Sequence, residues 1–326
     1  MEAMLLRTTA AAAAAAAVLS PCTTSSKVSI SGGCSFPQHK HCSFRVLNSG
    51  FSSIRIQAIK ASPSTPEVEK NRVDESHRYT LDGIRNSLIR QEDSIIFSLV
   101  ERAQFCYNEK TYDPNAFPVK GFHGSLLDYM IKETEKLQGK VGRYKSPDEH
   151  SFCRDELPGL VIPPLEYPRV LHPAADSINI NAQVWDMYFK IILPRLVKQG
   201  DDGNYGSTAT CDIFCLQTLS KRIHYGKFVA EAKFRASPDV YKAAIEAQDK
   251  GRLMELLTYP AVEEAVKTRV EMKTRRCGQE VILDGGEENA QPFYKIDPSL
   301  VADLYGDWIM PLTKQVQVKY LLRRLD

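Results

Sequence analysis

Apolar residues recur at helical spacing through most of residues 77–326. Leu81, Leu88, Ile89, Ile96, Leu99, Val100 and Ala103 form one stripe, which predicts a helix to about Phe105 with Thr80 as its cap. Gly121 to Gly124 introduce a second helix, SLLDYMIKETEKLQ, that ends near Gly139. Another is expected over Asn181–Gln199. The polar turn GDDGNYGSTAT then opens a helix at about Ser207. Helices over 239–248 and 261–276 each follow a proline, Pro238 and Pro260, suited to a first helical position. The last helix, SLVADLYGDWIMPLTKQVQVKYLLRRL, is interrupted by Pro311. A proline-rich loop runs from Gly142 to Leu171, and CGQEVILDGGEENAQPFYKID is a second loop with room for one short strand. This pattern is all-α, and no linker-like composition divides 77–326, so one domain is expected.

One stretch changes the picture. CLQTLSKRIHYGKFVAEAKF, Cys215 to Phe234, reads as one uninterrupted helix. At about 100° per residue, Cys215, Gly226, Val229 and Lys233 lie within roughly 40° of Arg222, with Leu219 and Ala230 at the stripe's edge. Ser220, His224, Lys227 and Glu231 lie opposite, as an ordinary solvent face. Arg222 and Lys233 therefore point where core residues belong. A buried cation needs an internal carboxylate or an anionic guest. Arg85 lies in the first helix's stripe, Thr313 and Gln317 are one turn apart on the last helix, and Glu263 shares a stripe with Val266, Lys267 and Val270. Singly, Thr313 is explained by a bond to a helix carbonyl and Glu263 by a solvated face. Three inward cations against one or two carboxylates point further, to a helical pocket for a small dicarboxylate or a phosphate.

Composition narrows the field. The 326 residues are 43% hydrophobic and 25% charged, with a formal net charge of +2, as in a globular protein. Residues 1–60 hold six basic residues (Arg7, Lys27, Lys40, Arg45, Arg55, Lys60) against Glu2, which leaves −3 for residues 61–326. A mildly acidic body argues against nucleic acid as the main partner. The Ser- and Ala-rich, acid-poor leader matches a plastid or mitochondrial transit peptide, and its few early arginines favour the plastid. A secretory signal is the competitor, on the alanine run of residues 10–17, but the basic, Ser-rich character persists beyond it. IRIQA, Ile54–Ala58, resembles a processing site, and residues 61–76 read as a disordered lead-in. No apolar run reaches the roughly 20 residues of a membrane span. The five cysteines after residue 60 are scattered, with Cys211 and Cys215 read as buried thiols, and the five histidines there show no ligand spacing, so no metal is implied. No glycine-rich phosphate loop and no nucleophile elbow occurs.

The segments IRNSLIRQEDSIIFSLVERAQF, KSPDE, GSTATCDIFCLQTLSKRIHYGKFVAEAKF, AVEE and PLTKQVQVKYLLRRL resemble, in order, the eukaryotic all-helical chorismate mutases, especially their plastid isoforms. The resemblance covers about 77–326 and implies a homodimeric, single-domain helical fold. It also implies a cofactor-free Claisen rearrangement of chorismate to prephenate, in phenylalanine and tyrosine synthesis. Carried over by motif, Arg85 and Arg222 would clamp the two carboxylates, with Thr313 assisting. Lys233 and Gln317 would donate to the ether oxygen, and Glu263 would accept from the ring hydroxyl. Fungal members have glutamate at the position of Gln317 and asparagine at that of Tyr259, so Tyr259 is left without a role. A glutamine amide donates at any pH, so activity is expected not to fall between neutral and mildly alkaline pH.

The family's regulated members bind tryptophan as activator and tyrosine or phenylalanine as inhibitor at a dimer-interface site. That implies an effector site here from Gly142 and Arg143 on one side and Asn204, Gly206, Ser207 and Thr210 on the other, all residues that turn and cap chemistry also explains. Two other classes compete: a helical plastid interaction protein, and a phosphate- or nucleotide-binding helical protein.

Overall fold

The computed structural model describes residues 81–163, 167–279 and 293–326, all within one compact unit, Glu69–Asp326. The Thr80 cap and the readings of residues 1–60 and 61–76 lie outside the described residues. Helices account for nearly all the regular structure described. They are α1 (Leu81–Arg102), α2 (Leu126–Lys140), α3 (Asn181–Met187), α4 (Leu193–Leu196), α5 (Tyr205–His224), α6 (Gly226–Ala236), α7 (Pro238–Glu246), α8 (Lys250–Leu257), α9 (Pro260–Gly278), α10 (Pro298–Leu304) and α11 (Met310–Leu321). The short strand expected after Cys277 is reduced, among the described residues, to one antiparallel bridge, Gln279 to Tyr294. Helix α8 was not foreseen; Asp249 caps it by accepting from Arg252 N.

Two π-helical stretches, Tyr188–Ile192 and Tyr305–Ile309, join α3 to α4 and α10 to α11. Each ends two residues before a proline, Pro194 and Pro311. Proline has no N–H and its ring crowds the carbonyl four residues back, and a wider π turn relieves both. The interruption expected at Pro311 is thus a bulge just before it, and the helix continues.

Helix α5 is the centre of the unit, with α1, α2, α3 and α11 packed around it. The expected continuous helix breaks at Tyr225, where ψ is −14°, and restarts as α6. The expected solvent face is wrong. Ser220, His224, Lys227 and Glu231 are all buried, because this face of α5 and α6 is covered by the rest of the unit, while α5 exposes Phe214 and its first turn instead. A single wheel could not reveal this, since it ranks faces by polarity and buried polar groups are tolerated wherever each finds a partner.

Most of the buried charges do. Arg102 and Asp212, both fully buried, meet at 2.7 Å, and Tyr188 and Tyr112 each donate to the same carboxylate. Glu231 is held by Arg324 and Arg235, Glu92 by Arg269 and Lys273, and Glu135 by Ser151 and the N–H groups of Phe152 and Cys153. Two buried cations among the described residues have no carboxylate in ion-pair range: Arg222 and Lys227.

Candidate active site

Gly226 sets the site's geometry. A β-carbon there would stand 2.6 Å from the Thr313 carbonyl oxygen and 3.2 Å from its Cγ2. Only glycine lets α6 lie this close to α11. The contact brings Arg222, near the end of α5, onto Thr313 of α11 and sets Gln317 against Gly226. All of Arg222, Thr313 and Gln317 are buried to 5% exposure, as their inward placement required.

At one end, Arg222 Nη1 donates to Thr313 Oγ1 (3.2 Å), which itself donates to the Ile309 carbonyl (2.6 Å). The helix-carbonyl explanation of Thr313 and its place in the site are therefore both realised. Among the described residues Arg222 Nε has no hydrogen-bond partner, nor has Gln317 Oε1. The guanidinium lies 6.0 Å from the centre of the Tyr305 ring. Burial lowers its pKa, the Tyr305 phenol and Glu92 raise it, and Arg269 lowers it. Glu92 is saturated by Arg269 (2.6 Å) and Lys273 (3.2 Å), so it influences Arg222 from a distance without bonding it.

At the other end, Lys233 Nζ donates to the Leu257 carbonyl (3.3 Å) and sits 4.7 Å from the centre of the Tyr259 ring. Burial pulls it down to about 8; Glu263 pushes it back up and Lys314 lowers it. Glu263 takes both carboxylate oxygens to Lys314, at 3.0 and 3.2 Å. Lys314, Tyr259 and Tyr305 were not foreseen as members of the site. Lys314 was legible, three residues before Gln317 on a helix already known to be polar inward. Tyr305 is apolar enough to pass for core, and nothing in the chain's spacing links it to Arg222.

Arg85 is a correction. It is exposed and pairs with Asp82 at 3.1 Å. The first turns of α1 bury Ile84 instead, against Tyr225 and Phe228, and the charges this helix does bury are Glu92 and, at its last residue, Arg102.

The remaining six residues fall in two groups. Gly142, with φ +81°, turns the chain out of α2, and Arg143 bonds Glu149 (3.0 Å) and Gln217 (2.7 Å). Asn204, Gly206, Ser207 and Thr210 are exposed around the first turn of α5, with open space beside Gly206. Gly206 and Gln217 are eleven residues apart on one helix, about 16 Å. Within one chain the two groups do not meet.

Residues 204–318 match the family described as chorismate mutase type II. The chain is 62% identical over 333 residues to chorismate mutase 1, chloroplastic, of Petunia hybrida, covering 100% of both. Structures of AtCM1 with phenylalanine and with tyrosine bound in an allosteric site superpose with TM-score 0.72 at 69% identity, covering 78% of this chain and 100% of that one. The Aro7p chorismate mutase of Candida albicans in complex with L-Trp gives TM-score 0.70 at 38% identity, covering 77% of this chain and 93% of that one.

Proposed function

This chain belongs to the chorismate mutase family, and from that premise we propose that Arg222, Lys233, Thr313, Gln317 and Glu263 hold chorismate for its rearrangement. The protein is a plastid isomerase that converts chorismate to prephenate, in phenylalanine and tyrosine synthesis. The reaction is pericyclic, so no nucleophile and no proton relay is needed. Two tasks remain: folding the side chain over the ring, and stabilising the charge that develops as the C–O bond breaks.

The observation that carries the residue assignment is the contrast between two buried arginines. Arg102 has its carboxylate; Arg222 has a hydroxyl of α11 and an Nε left unbonded among the described residues. Its planar fork suits a carboxylate of the substrate. Lys233 and the Gln317 amide donate to the ether oxygen, and Glu263, steadied by Lys314, accepts from the ring hydroxyl. Arg85 joins the clamp only by exchanging Asp82 for substrate, which an exposed pair of little net stability allows. Arg222→Ala is expected to lower turnover of chorismate about 10²–10³-fold, measured on purified, folded protein. Near-normal turnover would return Arg222 to structural duty.

The proposed effector site joins Gly142 and Arg143 of one subunit to Asn204, Gly206, Ser207 and Thr210 of a second. Its support is the separation of these groups along one chain, the homodimer expected of the family, and relatives that bind tyrosine, phenylalanine or tryptophan. Tryptophan raises turnover in this reading, and tyrosine or phenylalanine lowers it. A bulkier residue at Gly206 blunts the response and leaves basal turnover alone.

A further inference from the structure

Lys227 is the second buried cation without a carboxylate, and the catalytic reading leaves it without a role. It projects from the face of α6 that carries Glu231 one turn on, and is 1% exposed. Its Nζ lies 2.7 Å from His150 Nε2 and 2.9 Å from the Ala175 carbonyl oxygen. An ammonium has only protons to give, so His150 Nε2 accepts. Burial pulls Lys227 down to about 7, with Asp176 raising it and Arg154 lowering it from a distance.

The surroundings fix His150 in the role of acceptor. Its ring stacks on that of His224, with centroids 4.0 Å apart and planes 13° from parallel. His224 Nε2 accepts from Ile180 N–H (2.9 Å), so the proton of the neutral ring is on Nδ1, which faces the Ser220 carbonyl at 2.8 Å. Burial first, then His224 and Lys227 with a smaller effect of Arg154, lower the pKa of His150, and burial, then Lys227 and Lys319, lower that of His224, so positive charge is kept off this imidazole pair. Asn181 Nδ2 donates to the His150 and Ser151 carbonyls and Asn181 Oδ1 accepts from Ser220, so the backbone at His150 is tied to α5 as well.

The wider placement gives the bond its meaning. The segment from Arg143 to Ser151 runs along α5, fastened by Arg143 to Gln217 and by Asp148 and Glu149 to Lys221. Those ties all end before the break at Tyr225. Lys227–His150 is the tie beyond it, on α6, six residues before Lys233.

We propose that the Lys227–His150 hydrogen bond is a clasp by which the segment 143–151 positions α6, and with it Lys233, for the rearrangement. Neither residue touches substrate; both are positioning residues. The inference rests on Lys233 being the donor to the ether oxygen, as assigned above.

The test uses Lys227→Met, which keeps the volume and removes the donor, and His150→Phe, which keeps a stacking ring and removes the acceptor. His150→Gln supplies an amide acceptor in its place. The two losses are each expected to lower kcat about 10-fold, within the cost of misplacing a catalytic group by a fraction of an ångström to 1 Å, with KM within about twofold. The double variant is expected to be no worse than the worse single one, and His150→Gln to recover most of the kcat. Additive losses, a change confined to KM, or a glutamine no better than phenylalanine would overturn the clasp. Hydrogen exchange on full-length His150→Phe separates this from a failure of the catalytic reading. Faster exchange in 226–236 supports the clasp even if Lys233 is dispensable; unchanged exchange there refutes it whatever the kinetics.

Discussion

Arg222 and Lys233 are both cations held away from water, and their environments give them different pH behaviour. Arg222 stays charged throughout the working range because guanidinium starts so high. Lys233 does not: burial brings it to about 8 in the free enzyme. As pH rises through that value the ammonium loses its proton, and with it the donor to the ether oxygen. A bound dianion favours the charged form and lifts the value. The expected profile therefore separates two parameters: kcat/KM falls above about pH 8, while kcat stays level well beyond it. This refines the expectation drawn from Gln317 alone, which concerned only the neighbouring donor. Gln317→Glu adds a second titration, because a carboxylate donates only when protonated, and its kcat is expected to fall with rising pH from the acid side of neutrality. A wild-type kcat that falls together with kcat/KM would show that substrate does not protect Lys233.

At the scale of elements, the decisive contact is between α6 and α11. Gly226 is in ordinary helical conformation, so its requirement comes from distance and not from backbone freedom. Gly226→Ala forces a methyl group against the Thr313 carbonyl, and helix α11 has to move. Overpacking of this kind costs about 1–3 kcal/mol. The expected result is a lower melting temperature and a loss of turnover greater than the unfolded fraction explains, since Thr313 and Gln317 shift with α11. Unaltered kinetics in a stable protein would show that α11 can yield without moving the site. The break at Tyr225 belongs to the same scale. It divides α5 from α6, and the segment 143–151 is hydrogen-bonded to both.

For the whole molecule, the surface carries one consequence of the packing. Phe97 on α1, Leu137 on α2, Val141 just after it and Phe214 on α5 are 42–65% exposed, and α1 and α2 both pack against α5. Large apolar side chains gathered this way mark an interaction face, and the family's homodimer supplies the occupant. Phe214→Asp is expected to sediment as a monomer that retains basal turnover and no longer responds to tyrosine or tryptophan. A variant that remains dimeric would place the interface on another face.

What the chain decides alone is periodicity and chemistry. The 3.6-residue repeat determined that the regular structure among the described residues is helical, and the cations on inward stripes determined that Arg222, Lys233, Thr313 and Gln317 belong to a polar interior. These depend on local spacing, which a sequence carries in full. The tertiary structure decided everything that depends on what lies opposite. It turned Arg85 outward and Glu92 inward, broke the long helix at Tyr225, and buried Ser220, His224, Lys227 and Glu231 on a face that looks solvated. A polar residue reads the same in sequence whether water or a partner satisfies it, and Ser220, Lys227 and Glu231 each have a partner 39 to 93 residues away along the chain. Burial is a property of the assembled neighbours, so no helical wheel could contain it.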